Sequence, residues 1–571
     1  MPATRVLLLL AVASCGAMNG ATHPHEHGRP PTQAEATSEV GFVVAAPDRG
    51  FLGNEEARDA FDDFARGRNA ALVFVTDEQT SDDLQVAVVD MKARGARRVV
   101  VLPLFVSGSE LRFGLLQSLV VQGTWPVPVT MGRRFGESYL AVELLGDRFR
   151  SIAAPAGRRV VVAGYGAEDA AARQRVTRDL QTIANAAAEG FGFASVQVVV
   201  WLDRSGLPPG SPDVDAETAL EGAALSNDQV TVVPFQLGPK LDTMMSFSAA
   251  LLQHLPSASQ LVEQDITPDP IVGMWMAQEA NRHVPLGPNE IGVVFLAHGA
   301  DHRWNEGMRA SIGPLANRYK IEFAFCMADP PLIERAIRKL EVRGARGIVV
   351  VRVFGLTSSF QGTVERSLGM DVEGTGRGDH ADHTAHGHRQ TMGALPTPRI
   401  RSEALLTTVG GVEDSPHFAG ALLDRALSLA KNPERETVIL VAHGSGDDAT
   451  NDHWRHVLES VALQMRSGQG AQFRAIKVGT WREDWPDKRA PEVAAIRVMV
   501  EEASRDGGRA IVVPARTTAQ GSERELLAGL DYELGTGFAP HPLFERWLEE
   551  QVTRGTMAQP ATTADEVAHH H

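Results

Sequence analysis

The hydrophobic pattern of this chain repeats one design four times. An apolar run stops at a sharp corner, and a helical pattern follows. Then come a second apolar run, a second helix and a third run introduced by a turn. The corners read Val43-Val44-Ala45-Ala46-Pro47-Asp48, Val161-Val162-Ala163-Gly164-Tyr165-Gly166, Val294-Phe295-Leu296-Ala297-His298-Gly299 and Ile439-Leu440-Val441-Ala442-His443-Gly444. A basic glycine turn precedes the third run at Arg94-Gly95-Ala96-Arg97 and again at Arg343-Gly344-Ala345-Arg346. The fourth copy has Asp506-Gly507-Gly508-Arg509, and the second has the looser Asn227-Asp228-Gln229. A closing helix starts at Glu137-Ser138-Tyr139, Thr267-Pro268-Asp269-Pro270, Ser415-Pro416-His417-Phe418 and Ala539-Pro540-His541-Pro542. One helix shows the logic in detail. Asp329 is a good N-cap, Pro330 suits the first turn, and Leu332, Ile333, Ala336, Ile337 and Leu340 share one apolar face.

Strands alternating with helices imply parallel sheets covered by helices on both faces, because a parallel crossover needs a helix to return the chain. A period longer than one supersecondary unit points to duplication of a domain rather than to a solenoid. Two repeats pairing into one two-lobed module predict modules at 39–285 and 286–555. They are flanked by 1–38 and 556–571, with an insertion at 372–394 inside the second module.

Composition adds a boundary. There are 71 Asp and Glu against 55 Lys and Arg, a formal charge of -16, which repels nucleic acid and anionic membrane surfaces. The amino terminus adds an address. Arg5 precedes the apolar run Val6 to Val12, which is too short to span a bilayer, and Ala13-Ser14-Cys15-Gly16 follows. Small residues ahead of a cysteine resemble the bacterial lipoprotein signal, so Cys15 is the expected lipidation site and the cell envelope the expected location. The rival is an ordinary signal peptide cleaved nearby. Residues 19–38, with His23, His25 and His27, read as a tether. With Cys15 lipidated, Cys326 would be left without a disulfide partner.

The third and fourth corners carry candidate chemistry. A buried strand ending at His-Gly delivers its imidazole to the carboxyl edge of the sheet, where open α/β proteins build their sites. Neutral imidazole binds borderline metals and exchanges protons near pH 7. His298 and His443 are therefore the candidate catalytic and metal-binding residues, and Cys326 is a possible soft ligand whose rival role is packing. Asp301, Arg303 and Asn305 follow one corner and Ser445, Asp447 and Asn451 the other, able to orient each ring. His417 and His541 sit at helix starts and read as structural. The insertion carries His380, His383, His386 and His388, a tract that can gather Co²⁺, Ni²⁺ or Zn²⁺ by avidity; a solvated loop is its rival. The first module offers Asp48, Glu110, Tyr165 and Lys240 in the corresponding loops, without imidazole, and reads as a scaffold or partner surface.

The Ala-His-Gly corners, the Gly-Ala-Arg turn, the Asp329-Pro330 helix start and the Pro-His closing helix together resemble the sirohydrochlorin chelatase and cobaltochelatase family, the class II tetrapyrrole chelatases. The resemblance covers 290–550 well and 39–285 in degraded form. It implies four chelatase-like βαβ repeats forming two bilobal modules, and insertion of Co²⁺, Fe²⁺ or Ni²⁺ into a tetrapyrrole without a nucleotide. The family's His, Glu and His positions map to His298, about Cys326 and about Phe360 in the third repeat. In the fourth they map to His443, the stretch from Val478 to Thr480, and Ser522 or Glu523. The resemblance also implies that Arg352 and Arg516, at the ends of the third strands, meet substrate carboxylates, while Arg524 reads as a solvated surface residue. Two alternatives stay open: a non-catalytic metal- or tetrapyrrole-binding envelope lipoprotein, and a protein-interaction scaffold.

Overall fold

A computed structural model describes residues 39–559 apart from 204–211, 225–229, 239–246, 256–258, 263, 300–301, 314, 372–394 and 518–521. Cys15, the tether histidines, Lys240, Asp301, the 380–388 histidines and the terminal His569-His570-His571 lie outside the described residues, as does the turn at 227–229.

Four units follow one another, each alternating strand and helix. The first comprises β1 (Val40–Pro47), α1 (Gly50–Ala65), β2 (Ala70–Val75), α2 (Thr80–Ala93), β3 (Arg98–Pro103), α3 (Leu111–Gln122), β4 (Val129–Met131) and α4 (Tyr139–Arg150). The second comprises β5 (Arg159–Ala167), α5 (Ala170–Ala188), β6 (Ser195–Leu202), α6 (Val214–Ala224), β7 (Val230–Pro234), α7 (Phe247–Gln253), β8 (Gln260–Leu261) and α8 (Ile271–Arg282). The third comprises β9 (Ile291–Ala297), α9 (His302–Ser311), β10 (Lys320–Phe325), α10 (Pro330–Val342), β11 (Gly347–Val353), α11 (Gln361–Ser367), β12 (Leu405–Gly410) and α12 (Pro416–Leu429). The fourth comprises β13 (Glu436–Ala442), α13 (Asp448–Arg466), β14 (Ala475–Thr480), α14 (Pro486–Ala503), β15 (Arg509–Pro514), α15 (Glu523–Leu526), β16 (Glu533–Leu534) and α16 (Pro542–Ala558).

Every sheet runs second, first, third, fourth: β2-β1-β3-β4, β6-β5-β7-β8, β10-β9-β11-β12 and β14-β13-β15-β16. All pairings are parallel. The first strand of each unit is therefore central. β1, β9 and β13 are buried along their whole length, which is why they read as unbroken apolar runs rather than alternating ones.

Cores are shared between neighbours. Val44, Leu102, Val162 and Val233 join Phe135, Phe149 and Trp275 in one core between the first two sheets. Phe295, Val351, Leu440 and Val513 join Phe538, Phe544 and Trp547 between the last two. The other side of each sheet packs on its own helices. The molecule is thus two two-lobed modules. Their seam forms where α4 and α8 meet the segment leading into β12. The Tyr139 hydroxyl donates to the Ile400 carbonyl (2.9 Å), and Gln278 Nε2 donates to that of Ser402 (3.0 Å).

Helix α10 departs from its expected face at two points. Leu332 is solvent-exposed while Ile333, Ala336, Ile337 and Leu340 are buried. Asp329 occupies the N-cap position without a side-chain cap. Pro331 at the second helical position has no N–H to give, and the Leu332 N–H at the third donates to the Asp329 carbonyl (3.2 Å), so no side-chain cap is needed.

Candidate functional site

Both corner histidines lie where a central strand ends at the carboxyl edge of its sheet, and a left-handed glycine lets the chain turn there. Gly299 has φ 75° and Gly444 φ 82°; a Cβ at Gly299 would lie 2.8 Å from that of Phe325. The His298 ring is exposed, its Nδ1 2.6 Å from the Gly299 carbonyl oxygen. His443 repeats that local bond at 3.0 Å to Gly444 but is half-buried, with Trp485 edge-on at 5.7 Å between ring centroids.

At His443 the surroundings build a network. With Nδ1–H donating to the carbonyl, Nε2 faces the Asp484 carboxylate at 3.1 Å and that of Glu483 at 3.9 Å. Glu483 in turn accepts from Arg516 (2.7 Å), which also reaches the fully buried Glu523 at 3.2 Å. One chain of contacts therefore crosses the ends of β13, β14 and β15. Arg482 organises the corner itself. Its backbone N–H donates to the His443 carbonyl (2.7 Å), and its guanidinium to the carbonyls of Ser445 (2.7 Å) and Gly446 (2.9 Å) and to Asp448 (2.6 Å). The hydrogen bonds from Lys488 and Arg482 hold the exposed Asp448 carboxyl below its usual range.

The stretch Arg482-Glu483-Asp484-Trp485 is what sequence reasoning missed, having placed the second position at Val478 to Thr480. The strand register locates these carboxylates. Ala442 pairs with Thr480 as Ala297 pairs with Phe325, so the carboxylates follow the strand rather than end it. By the same count Asp484 corresponds to Asp329, both four residues past the pairing. Two acids between tryptophans directly after an apolar run were the available signal.

Among the described residues, the hydrogen bonds around His298 form no network comparable to that at His443. Cys326 donates its backbone N–H to Ala297, next to the corner (2.9 Å), but the side chain packs among Val294, Leu296 and Ile333. Burial pushes its thiol up from the usual range. Phe360, at the third position, packs on Phe354 with ring centroids 4.9 Å apart. Arg352 is 2% exposed and donates to Thr408 Oγ1 and to the carbonyls of Thr357 and Ser359. No hydrogen bond, ion pair or ring contact among the described residues joins His298 to His443. Among the described residues, no three His, Cys, Asp or Glu side chains form a metal-binding cluster. His541 accepts from the Leu543 N–H (3.2 Å), the structural role expected of it.

In the first module the equivalent rim is closed by ion pairs. Arg112 bridges Asp203 (3.3 Å) and Asp48 (3.8 Å), and Arg49 lies 4.5 Å over the Tyr165 ring. Glu110 accepts the N–H groups of Val106 (2.9 Å) and Ser107 (2.7 Å), and burial nevertheless pushes its carboxyl from 4.5 up to about 7. Between those values the folded state keeps a proton that the unfolded chain has lost. Stability from this group is thus complete below pH 4.5 and is lost as pH rises through 7. Thermal melts should show on the order of 3 kcal/mol lost over that window, and Glu110→Gln should remove that part of the slope. Parallel pH profiles for the two proteins would refute this. Asp265, also raised to about 7 by burial and then by Glu56, remains in both and contributes to the residual slope.

The fold and rim define a parallel α/β protein of four duplicated units with one elaborated corner. No family model matches the chain, and no curated protein matches it. It is similar to the solved structure of DR2241 from Deinococcus radiodurans, a multi-domain protein described as structurally similar to chelatases with two additional novel domains. The identity is 15% and the TM-score 0.32, over 47% of this chain and 55% of that one. The chain spans about half the length of that neighbour.

Proposed function

We propose that this chain is a divalent-transition-metal-binding protein on a chelatase-like fold, with the ion held at the rim of the fourth unit by the pair His443 and Asp484, and with Glu483, engaged by Arg516, adding negative charge behind them. What carries the reading is a ring anchored through Nδ1 on a carbonyl while Nε2 faces two carboxylates at 3.1 and 3.9 Å. Anchoring one nitrogen is how an imidazole is oriented for a metal. Mixed nitrogen and oxygen donors suit Co²⁺, Ni²⁺, Fe²⁺ or Zn²⁺. Few ligands at an open rim hold such cargo loosely enough to surrender it. The 380–388 histidines would gather ions for this rim, and a lipid anchor at Cys15 would hold the protein in the cell envelope. No nucleotide or nucleic acid is required.

Insertion of the ion into a sirohydrochlorin-type tetrapyrrole is the specific extension. Arg516, engaged by two carboxylates, and Arg352, engaged by three oxygens, leave substrate carboxylates less to meet. That observation favours a binding protein that retains the fold without the reaction, its first module serving as scaffold.

Calorimetric titration of Co²⁺, Ni²⁺ and Zn²⁺ into a protein carrying His380→Ser, His383→Ser, His386→Ser and His388→Ser isolates the rim. Adding His443→Ala should abolish the remaining site, and Asp484→Asn should weaken it by about 10-fold or more. Adding His298→Ala should change it little. Affinity untouched by His443→Ala would sink the reading, and sirohydrochlorin absorbance with Co²⁺ separates enzyme from binder.

A further inference from the structure

A cavity of about 390 Å³ lies in the seam between the modules, remote in function from the His443 rim. Its wall includes every residue from Leu405 to Gly410, the whole of β12. Side chains alternate between the two faces of a strand, so consecutive residues line one space only where the strand is met edge-on. β12 is the outer strand of its sheet. At the corresponding position the other units have short strands, Val129–Met131, Gln260–Leu261 and Glu533–Leu534, which is how proteins commonly blunt an edge. Here the edge is six residues long.

The ladder says which groups are open. Leu405 N–H donates to Arg346 and Gly411 N–H to Arg352. In a parallel ladder, alternate residues direct both backbone groups to one neighbour. Leu406 and Thr408 therefore turn their N–H and C=O groups to the cavity, and among the described residues these meet no partner. Side-chain amides already pave the edge just before this point. Gln278 donates to the carbonyls of Ser402 (3.0 Å) and Ala404 (3.3 Å), and Gln559 to that of Leu405 (3.0 Å). Gln278 thus completes the open edge up to Ala404, while the Leu405 carbonyl that Gln559 meets lies on the β11 side, and the cavity begins where the Gln278 amide stops. Arg282, paired with Glu279 (3.2 Å), Arg352, held by three neutral oxygens, and the exposed Arg554 line it with the carboxylate of Glu365, so the wall carries net positive charge and Arg554 is its accessible cation.

We propose that this cavity is a binding site for a short, extended acidic peptide segment that adds as a strand to β12. The peptide's backbone pairs with Leu406 and Thr408, and its carboxylates meet Arg554 in the net positive field of the wall. The room along the open edge suits about three residues at roughly 3.3 Å each.

The test is fluorescence polarisation of the full-length protein with an N-terminally labelled Val-Glu-Val-Glu-Val amide. Saturable binding is expected. It should weaken by about tenfold when both glutamates are replaced by lysine, and similarly for the protein variant Arg554→Ala, an exposed position on α16. Methylating the peptide nitrogens that face β12, tried on each alternate set, should abolish binding for one set and spare the other. Equal affinity for both methylated sets would overturn strand addition. Absence of saturable binding would mean a water-filled seam only.

Discussion

Trp547→Ala should destabilise the second module by about 3–5 kcal/mol and leave the first intact. The indole is 1% exposed in the core shared by the third and fourth units, against Phe544 (6.1 Å between ring centroids) and Phe538 (6.2 Å). Removing so large a side chain loses both its transfer energy and the packing around the void. The first module has a separate core around Trp275. Hydrogen exchange should therefore show lost protection in β9, β11, β13 and β15 with β1 and β5 unchanged. Equal loss in both halves would contradict two independently cored modules.

Glu143→Ala should be comparably damaging at the seam. This carboxylate is 1% exposed and pairs with Arg150, with Arg399 at 3.8 Å and with Arg401 at 3.8 Å. Burial and the neighbouring arginines hold Arg150 down at about 10, so it is charged at neutral pH. Deleting one partner from a buried ionic group leaves charge uncompensated, at a cost of about 3–5 kcal/mol. The expected readout is accelerated exchange at 399–404 and in α4. Unchanged exchange there would show that Asp147, which also pairs with Arg401, suffices alone.

The architecture was legible because its signals are local and repeated. Corner glycines, apolar runs and proline helix starts announced the four strand-helix series, and the closing helices begin where Tyr139, Pro416 and Pro542 placed them. The candidate site was legible only in part. His443 was named from its corner, whereas its neighbours Glu483 and Asp484 were not, because a carboxylate past the end of a strand has no periodicity to mark it. Arg516 was visible as a charge at a strand end. Its commitment to Glu483 and Glu523 was not, since Glu483 lies in the loop after β14 and Glu523 at the start of α15, and only the fold turns both toward it.

By itself the chain's pattern determined fold class, duplication and the two histidine corners, because strand burial and turn chemistry depend on neighbours within a few residues. Tertiary structure alone decided that one corner gathers carboxylates while the other stands exposed, that Cys326 packs in a core, and that β12 opens on a cavity. Those outcomes depend on residues tens to hundreds of positions apart meeting at sheet edges. Such distances are set by packing, and no local pattern records them.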